Sequence, residues 1–236
     1  MSLPGEASGS GACKIGIDAV RSNEHTDAMT RERLLETAID RFGRLGFDGA
    51  STREISRASG TAMSSITYHF GGKKGLYLAA AEHIAAQVRS TLGPLRQRAE
   101  AVSKSATRDE AIELLLAMLD GFAQMMLRPE SEAWSRFIVR EQQQPTEAFE
   151  RLYEGAMKAM IETFVLLLAR ARRDLPEMEC RATAVMLFGQ ALVLRVGRAS
   201  VCRALGCEAL GKGEGALLRA RLRSTSLCIL TEEGDG

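Results

Sequence analysis

Apolar positions recur at helical spacing along this chain from about Thr30 onward, and residues 1–28 show no such period. Leu34, Leu35, Ala38, Ile39, Phe42 and Leu45 fall three and four residues apart. This predicts a helix with Thr30 as N-cap and Gly46 just past its end. Ser51-Thr52-Arg53-Glu54 has the capping-box pattern and opens a second, short helix that Gly60 stops. A third short helix is predicted over 62–70, ended by Gly71-Gly72. A fourth runs over 73–92 with Leu76, Ala80, Ile84 and Val88 on one face, and Gly93-Pro94 is expected to kink or end it. Longer, more apolar helices follow over 109–127, 132–143, 146–173, 178–205 and 214–230. No strand pattern, internal repeat or Gly-rich phosphate loop interrupts them, so the expected fold class is all-α.

Composition narrows the function classes. The chain has 236 residues, 45% hydrophobic and 26% charged, which is ordinary for a globular protein. Its 31 Lys+Arg against 30 Asp+Glu leave a net charge of +1, which excludes a globally basic nucleic-acid coat protein but not a local basic patch. The five cysteines are scattered without CxxC spacing, so a reducing compartment is expected. No apolar run approaches the roughly 20 residues of a membrane span, and the Gly/Ser-rich start does not read as a secretory signal. The expectation is a cytoplasmic protein with no membrane partner. Residues 1–28 read as a disordered arm, with Lys14 and Arg21 outnumbered by Glu6, Asp18, Glu24 and Asp27.

The candidate chemistry lies between Ser51 and Lys74. Two short helices joined through Gly60 form a helix-turn-helix pattern, the glycine supplying the left-handed turn. From Ile55 through Ala81 there is no Asp or Glu, while Arg57, His69, Lys73 and Lys74 are present. An acid-free stretch in a charge-balanced chain is what a phosphate-facing surface needs. The third helix begins small and polar at Ala62-Met63-Ser64-Ser65, which lets its backbone sit deep in a major groove. A three-helix packing unit without a DNA role has the same pattern.

The stretch from Arg33 to Leu78 resembles the DNA-binding region of the TetR family of bacterial transcriptional regulators. The matching residues are Leu35, Ala38, Phe42, Gly46 and Phe47, then Thr52-Arg53-Glu54-Ile55, Ser59-Gly60, Ile66-Thr67-Tyr68-His69-Phe70, and Lys73-Lys74-Gly75-Leu76. Ile66-Thr67-Tyr68-His69-Phe70-Gly71-Gly72-Lys73, with Phe188-Gly189-Gln190-Ala191, Arg195, Arg198 and Leu205-Gly206, is similar to the CecR-like branch. The resemblance implies a dimeric repressor with a C-terminal helical domain for ligand binding and dimerisation. It implies a phosphate contact at Thr52 and a base or phosphate contact at Arg53. Met63, Ser64 and Ser65 would lie at the exposed start of the recognition helix, Thr67, Tyr68 and His69 at its end, and Lys73 on a phosphate. Ser56 and Ser59 stand where Ala is common, and Thr61 where Val is common, substitutions expected to weaken packing modestly.

The resulting domain reading is a disordered arm over 1–28, a helix-turn-helix unit over 29–75 and a ligand-binding and dimerisation unit over 76–236. The partners implied are double-stranded operator DNA, a second copy of the chain and a small-molecule inducer. Phe122, Met126, Trp134, Phe137, Tyr153 and Met157, with Arg140, are the candidate inducer lining, although plain bundle core has the same pattern. Such a lining would suit a partly apolar ligand. Val185, Leu187, Phe188, Ala191, Leu192 and Leu194, with Leu217, Leu218, Leu222, Leu227 and Ile229, form the expected dimer face. No catalytic set, metal site or cofactor motif stands out, and Cys202 and Cys207 read as small core residues. The alternative class is a helical binding or enzyme domain that has lost DNA binding.

Overall fold

The computed structural model describes residues 11–232, with side chains from Thr26 onward. Every element among them is helical. The helices are α1 Gly11–Gly49, α2 Thr52–Ser59, α3 Met63–Phe70, α4 Lys73–Ser103, α5 Arg108–Leu127 and α6 Ser131–Gln143. They continue with α7 Glu147–Leu152, a π turn Tyr153–Met157, α8 Lys158–Ala171, α9 Glu177–Val196, α10 Arg198–Leu205 and α11 Lys212–Thr231.

Several boundaries differ from the sequence pattern. Helix α1 starts at Gly11, inside the segment expected to be a disordered arm; residues 1–10 lie outside the described residues. Once the buried turn around Leu34 exists, each added residue gains a backbone bond cheaply, and 11–29 contains no proline. Thr30 is therefore mid-helix, its hydroxyl donating to the Thr26 carbonyl at 2.9 Å. Helix α4 continues through Pro94 because Leu92 and Ala99, on either side of it, are both buried in the core. The segment expected as one helix over 178–205 breaks at Gly197, and α9 and α10 diverge by 80°. A Cβ at Gly197 would lie 2.9 Å from Val193 Cγ2 and 3.1 Å from the Val193 carbonyl oxygen, so the corner is tight.

Two cores result. The first joins Leu34, Leu35 and Phe42 of α1 with Ile55, Ile66, Leu76 and Ile84, and it takes in Phe137 of α6 and Leu152 of α7. It thus extends across the boundary expected at residue 75. The second packs Leu115 and Leu119 of α5 against Phe164 and Leu168 of α8 and Leu187 of α9. Trp134 packs against both. Buried arginines tie helix ends together. Arg195 donates to the carbonyls of Met126, at 2.8 Å, and Arg128, past the end of α5, while Arg172 reaches the Ile229 carbonyl at 2.6 Å.

Glu141, only 1% exposed, is the buried acid of the first core. One carboxylate oxygen accepts from the Tyr77 hydroxyl; the other accepts from the Thr146 amide at 3.1 Å and hydroxyl at 2.9 Å. It thereby fastens α4 to the start of α7. Burial, and then the bond to Glu141, push the Tyr77 hydroxyl well above the ordinary tyrosine pKa, so it stays a donor. Tyr77→Phe leaves one Glu141 oxygen without that donor and should destabilise the chain by about 1–3 kcal/mol, read from urea unfolding by circular dichroism.

Candidate DNA-binding interface and ligand cleft

Three left-handed glycines shape the helix-turn-helix. Gly60 (φ 64°) closes α2, its N–H donating to the Arg57 carbonyl at 3.2 Å while the Thr61 N–H reaches Ser56 at 3.0 Å. Gly71 (φ 70°) and Gly72 (φ 119°) turn the chain from α3 into α4. Any side chain would strain these positions. The guanidinium of Arg33 on α1 donates to the Ser59 carbonyl and fixes the turn from below.

The three polar departures in this turn act as a set. The Ser56 hydroxyl donates to the Thr61 carbonyl at 2.6 Å, that of Ser59 donates to the Ser56 carbonyl at 3.0 Å, and the Ser59 and Thr61 hydroxyls meet at 2.8 Å. Ser56 and Ser59 are buried. The expected loss of packing is thus offset by hydrogen bonds that satisfy every one of these hydroxyls. The capping box expected at Ser51 is a different case. Ser51 is the N-cap residue in extended conformation, but its exposed side chain makes no cap bond. Boxed ends occur instead at Thr107, which exchanges bonds with Glu110.

Helix α3 buries Ile66 and turns its other face outward. Met63 is 56% and Tyr68 77% exposed, large values for such side chains, and Ser64 and Thr67 are exposed beside them. Ser65 and Thr52 are half-buried, and Arg53 is exposed at the start of α2. Lys73 lies over the Phe47 ring at 4.7 Å and reaches the Asp48 carbonyl at 3.3 Å, which places its charge at the first turn of α4. Lys74 is paired with Glu147 of α7 at 3.0 Å. His69 stands apart from the rest of the predicted set. Its side chain is 7% exposed and faces Asp27 of α1 at 3.5 Å, so it braces α3 against α1 rather than pointing outward.

The predicted inducer lining is spread over several helices and both cores. Met126 is in the second core and Phe137 in the first, against Tyr77. Phe122 packs edge-on against Phe188 with ring centroids 5.4 Å apart. Tyr153 stacks on Phe149, and Met157, at the end of the π turn, meets Gln142. Helical spacing does not show what each of these residues faces. Arg140 alone of the set lines a cleft of about 900 Å³ between α6, α9 and α10 that reaches Gly43 of α1. Arg136, Arg140, Arg195, Arg198 and Arg203 line it, a convergence that sequence reasoning missed because the residues come from three separate helices. Cys202 and Cys207 are also on its wall. Burial first, and then Cys202, raise the Cys207 thiol pKa, so little thiolate forms at neutral pH. Among the described residues no group of three or more His, Cys, Asp or Glu is placed to hold a metal ion, and no single helix is long and apolar enough to cross a membrane.

An exposed recognition helix held between left-handed glycines, on an all-helical body, defines the class of helix-turn-helix transcriptional regulators. Residues 34–80 match the family model described as bacterial regulatory proteins of the tetR family. Residues 111–232, over half the chain, match the C-terminal domain of the HTH-type transcriptional dual regulator CecR. The chain belongs to the TetR family of bacterial regulators, in the branch that carries the CecR C-terminal domain. It is similar to the dual regulator CecR of Shigella flexneri, at 28% identity over 80% of this chain and 86% of that one. In fold it is similar to AibR, solved with isovaleryl coenzyme A and operator DNA, at TM-score 0.60 and 14% identity over 86% of this chain and 98% of that one. It is also similar in fold to FadR of Bacillus subtilis, solved with stearoyl-CoA, at TM-score 0.56 and 14% identity over 83% and 96%. The protein is a DNA-binding transcriptional regulator and not an enzyme.

Proposed function

We propose that the protein is a ligand-responsive repressor that binds a palindromic operator as a dimer and is released by a small-molecule inducer. The observation that carries this reading is the outward face of α3, where Met63, Ser64, Thr67 and Tyr68 stand exposed in an acid-free stretch. In this reading α3 enters the major groove, Thr52 and Arg53 contact the flanking backbone, Ser65 lies at the groove edge, and His69 positions the helix from behind. Two such helices related by a two-fold axis would read half-sites about 34–36 Å apart. Residues 29–75 are the DNA-binding unit and 76–236 the ligand and dimer unit, mechanically joined through α6. The description of AibR, which names both an acyl-CoA and operator DNA, supports a two-ligand switch on this fold. The inducer acts by binding better to the conformation with misplaced recognition helices, since only differential affinity shifts such an equilibrium. The chain works in the cytoplasm, where its DNA is.

Footprinting of the purified protein on genomic DNA tests the reading. It should protect an inverted repeat upstream of the protein's own gene or a neighbouring one, and a chain that protects no specific site would sink it. Lys73→Ala should weaken binding to all sequences about equally. It should also flatten the dependence of log affinity on log salt by about one counterion per subunit. An unchanged slope in a salt titration removes Lys73 from the phosphate contacts.

A further inference from the structure

The cleft between α6, α9 and α10 gathers charge of one sign. Its wall has five arginines against Glu132 and Glu208. Arg136 is paired, with Glu132 and, at 3.0 Å, with Asp40 of α1. The other four arginines make no ion pair among the described residues. Arg195 is 7% exposed and is held by two backbone carbonyls, which fix its guanidinium without neutralising it. Burial first, and then the neighbouring Arg198, lower the Arg195 pKa. The side chains of Arg136 and Arg140 line the end of the cleft at Gly43. A guanidinium edge is shaped to take a carboxylate or phosphate through two parallel bonds. The volume, about 900 Å³, is that of a small-molecule site.

We propose that this cleft is a binding site for an organic anion carrying at least two phosphate or carboxylate groups. Arg198 and Arg203 of α10 meet the anion at the mouth, while Arg136 and Arg140 of α6 meet it at the end nearest the DNA-binding unit. The same two α6 arginines hold α1: Arg136 through Asp40, and Arg140 through the Arg44 carbonyl at 3.3 Å. An anion that draws on them competes with α1, loosening the helix against which α2 and α3 pack. This last coupling step rests on the repressor reading above; the binding site itself does not.

Titration calorimetry of the full-length protein, in a buffer free of phosphate and carboxylate, tests the site with two probes, inorganic pyrophosphate and citrate. At least one should bind with one site per chain, and the preferred probe separates phosphate from carboxylate recognition. Arg198→Ala/Arg203→Ala removes two arginines that make no internal ion pair and should weaken binding about tenfold or more, as expected for lost charged hydrogen bonds. Arg223→Gln, a distant surface arginine paired with Glu113, should leave binding unchanged. Absence of binding by either probe, or equal affinity for the wild type and the double variant, overturns the proposal. A probe that binds through Arg198 and Arg203 yet leaves operator affinity unchanged upholds the site and overturns the coupling. The calorimetry needs no DNA, so it remains readable if the operator reading fails.

Discussion

Gly75→Ala should strongly weaken specific operator binding while leaving the C-terminal helices folded. A Cβ at this position would lie 1.7 Å from the Phe70 carbonyl oxygen and 2.9 Å from its carbon. These are backbone atoms, so no side-chain rotation relieves the clash, and the first turn of α4 must move away from the end of α3. That end carries Tyr68 and His69, so moving it displaces the exposed face of α3. Overpacking typically costs 1–3 kcal/mol, and contact between backbone atoms belongs at about the upper end. Fluorescence anisotropy with labelled operator should show affinity falling by about 100-fold or more, the equivalent of that loss placed on the binding-competent conformation. Gly93→Ala is the internal control. It lies in the middle of α4, where a Cβ meets nothing within 4 Å, and alanine should stabilise the chain by about 0.5–1 kcal/mol. Wild-type operator affinity in the Gly75→Ala protein would show that the α3–α4 junction does not position the recognition helix.

The features that were legible in the sequence are those that one residue determines locally. Gly46, Gly60 and Gly71 are all found with positive φ, because a left-handed position is a property of a single backbone unit. The acid-free run from Ile55 to Ala81 and the polar outward face of α3 were legible for the same reason. What depends on contact between distant segments was not. The hydroxyl set of Ser56, Ser59 and Thr61 acquires its bonds only once the turn closes. Asp27 enters the neighbourhood of His69 only because α1 reaches back past Thr30. Arg136 and Arg140 of α6 are far in the chain from Arg195, Arg198 and Arg203 of α9 and α10, and the break at Gly197 that brings α10 round cannot be read from periodicity. Periodicity gives the Met and Phe positions a common face but does not separate a core wall from a cavity wall.

The same distinction decides how the dimer must be tested. The sequence places Val185, Leu187, Leu192 and Leu194 together on one apolar face of α9, but the structure divides them. Leu187, Ala191 and Leu194 are buried against α5 and α8, so a charge at Leu187 or Leu194 would unfold the chain and say nothing of assembly. Leu222, from the expected face on α11, is likewise internal. Val185, Met186, Leu192, Val193 and Val196 remain exposed along α9, with Leu217 and Leu227 exposed on α11. An apolar strip of this length on two helices is costly to leave in water, and pairing with its two-fold mate would close a four-helix bundle. The wild-type chain should therefore be a dimer by light scattering at micromolar concentration without DNA. Met186→Glu/Val193→Glu should be a folded monomer, because both side chains point out of the core and the charges meet water unless a partner covers them. Operator affinity should fall by about 100-fold or more, since each half-site must then be bound without the tethering that a dimer supplies. A wild-type monomer, or a double variant that stays dimeric, would mean that the exposed faces of α9 and α11 are not where two chains meet.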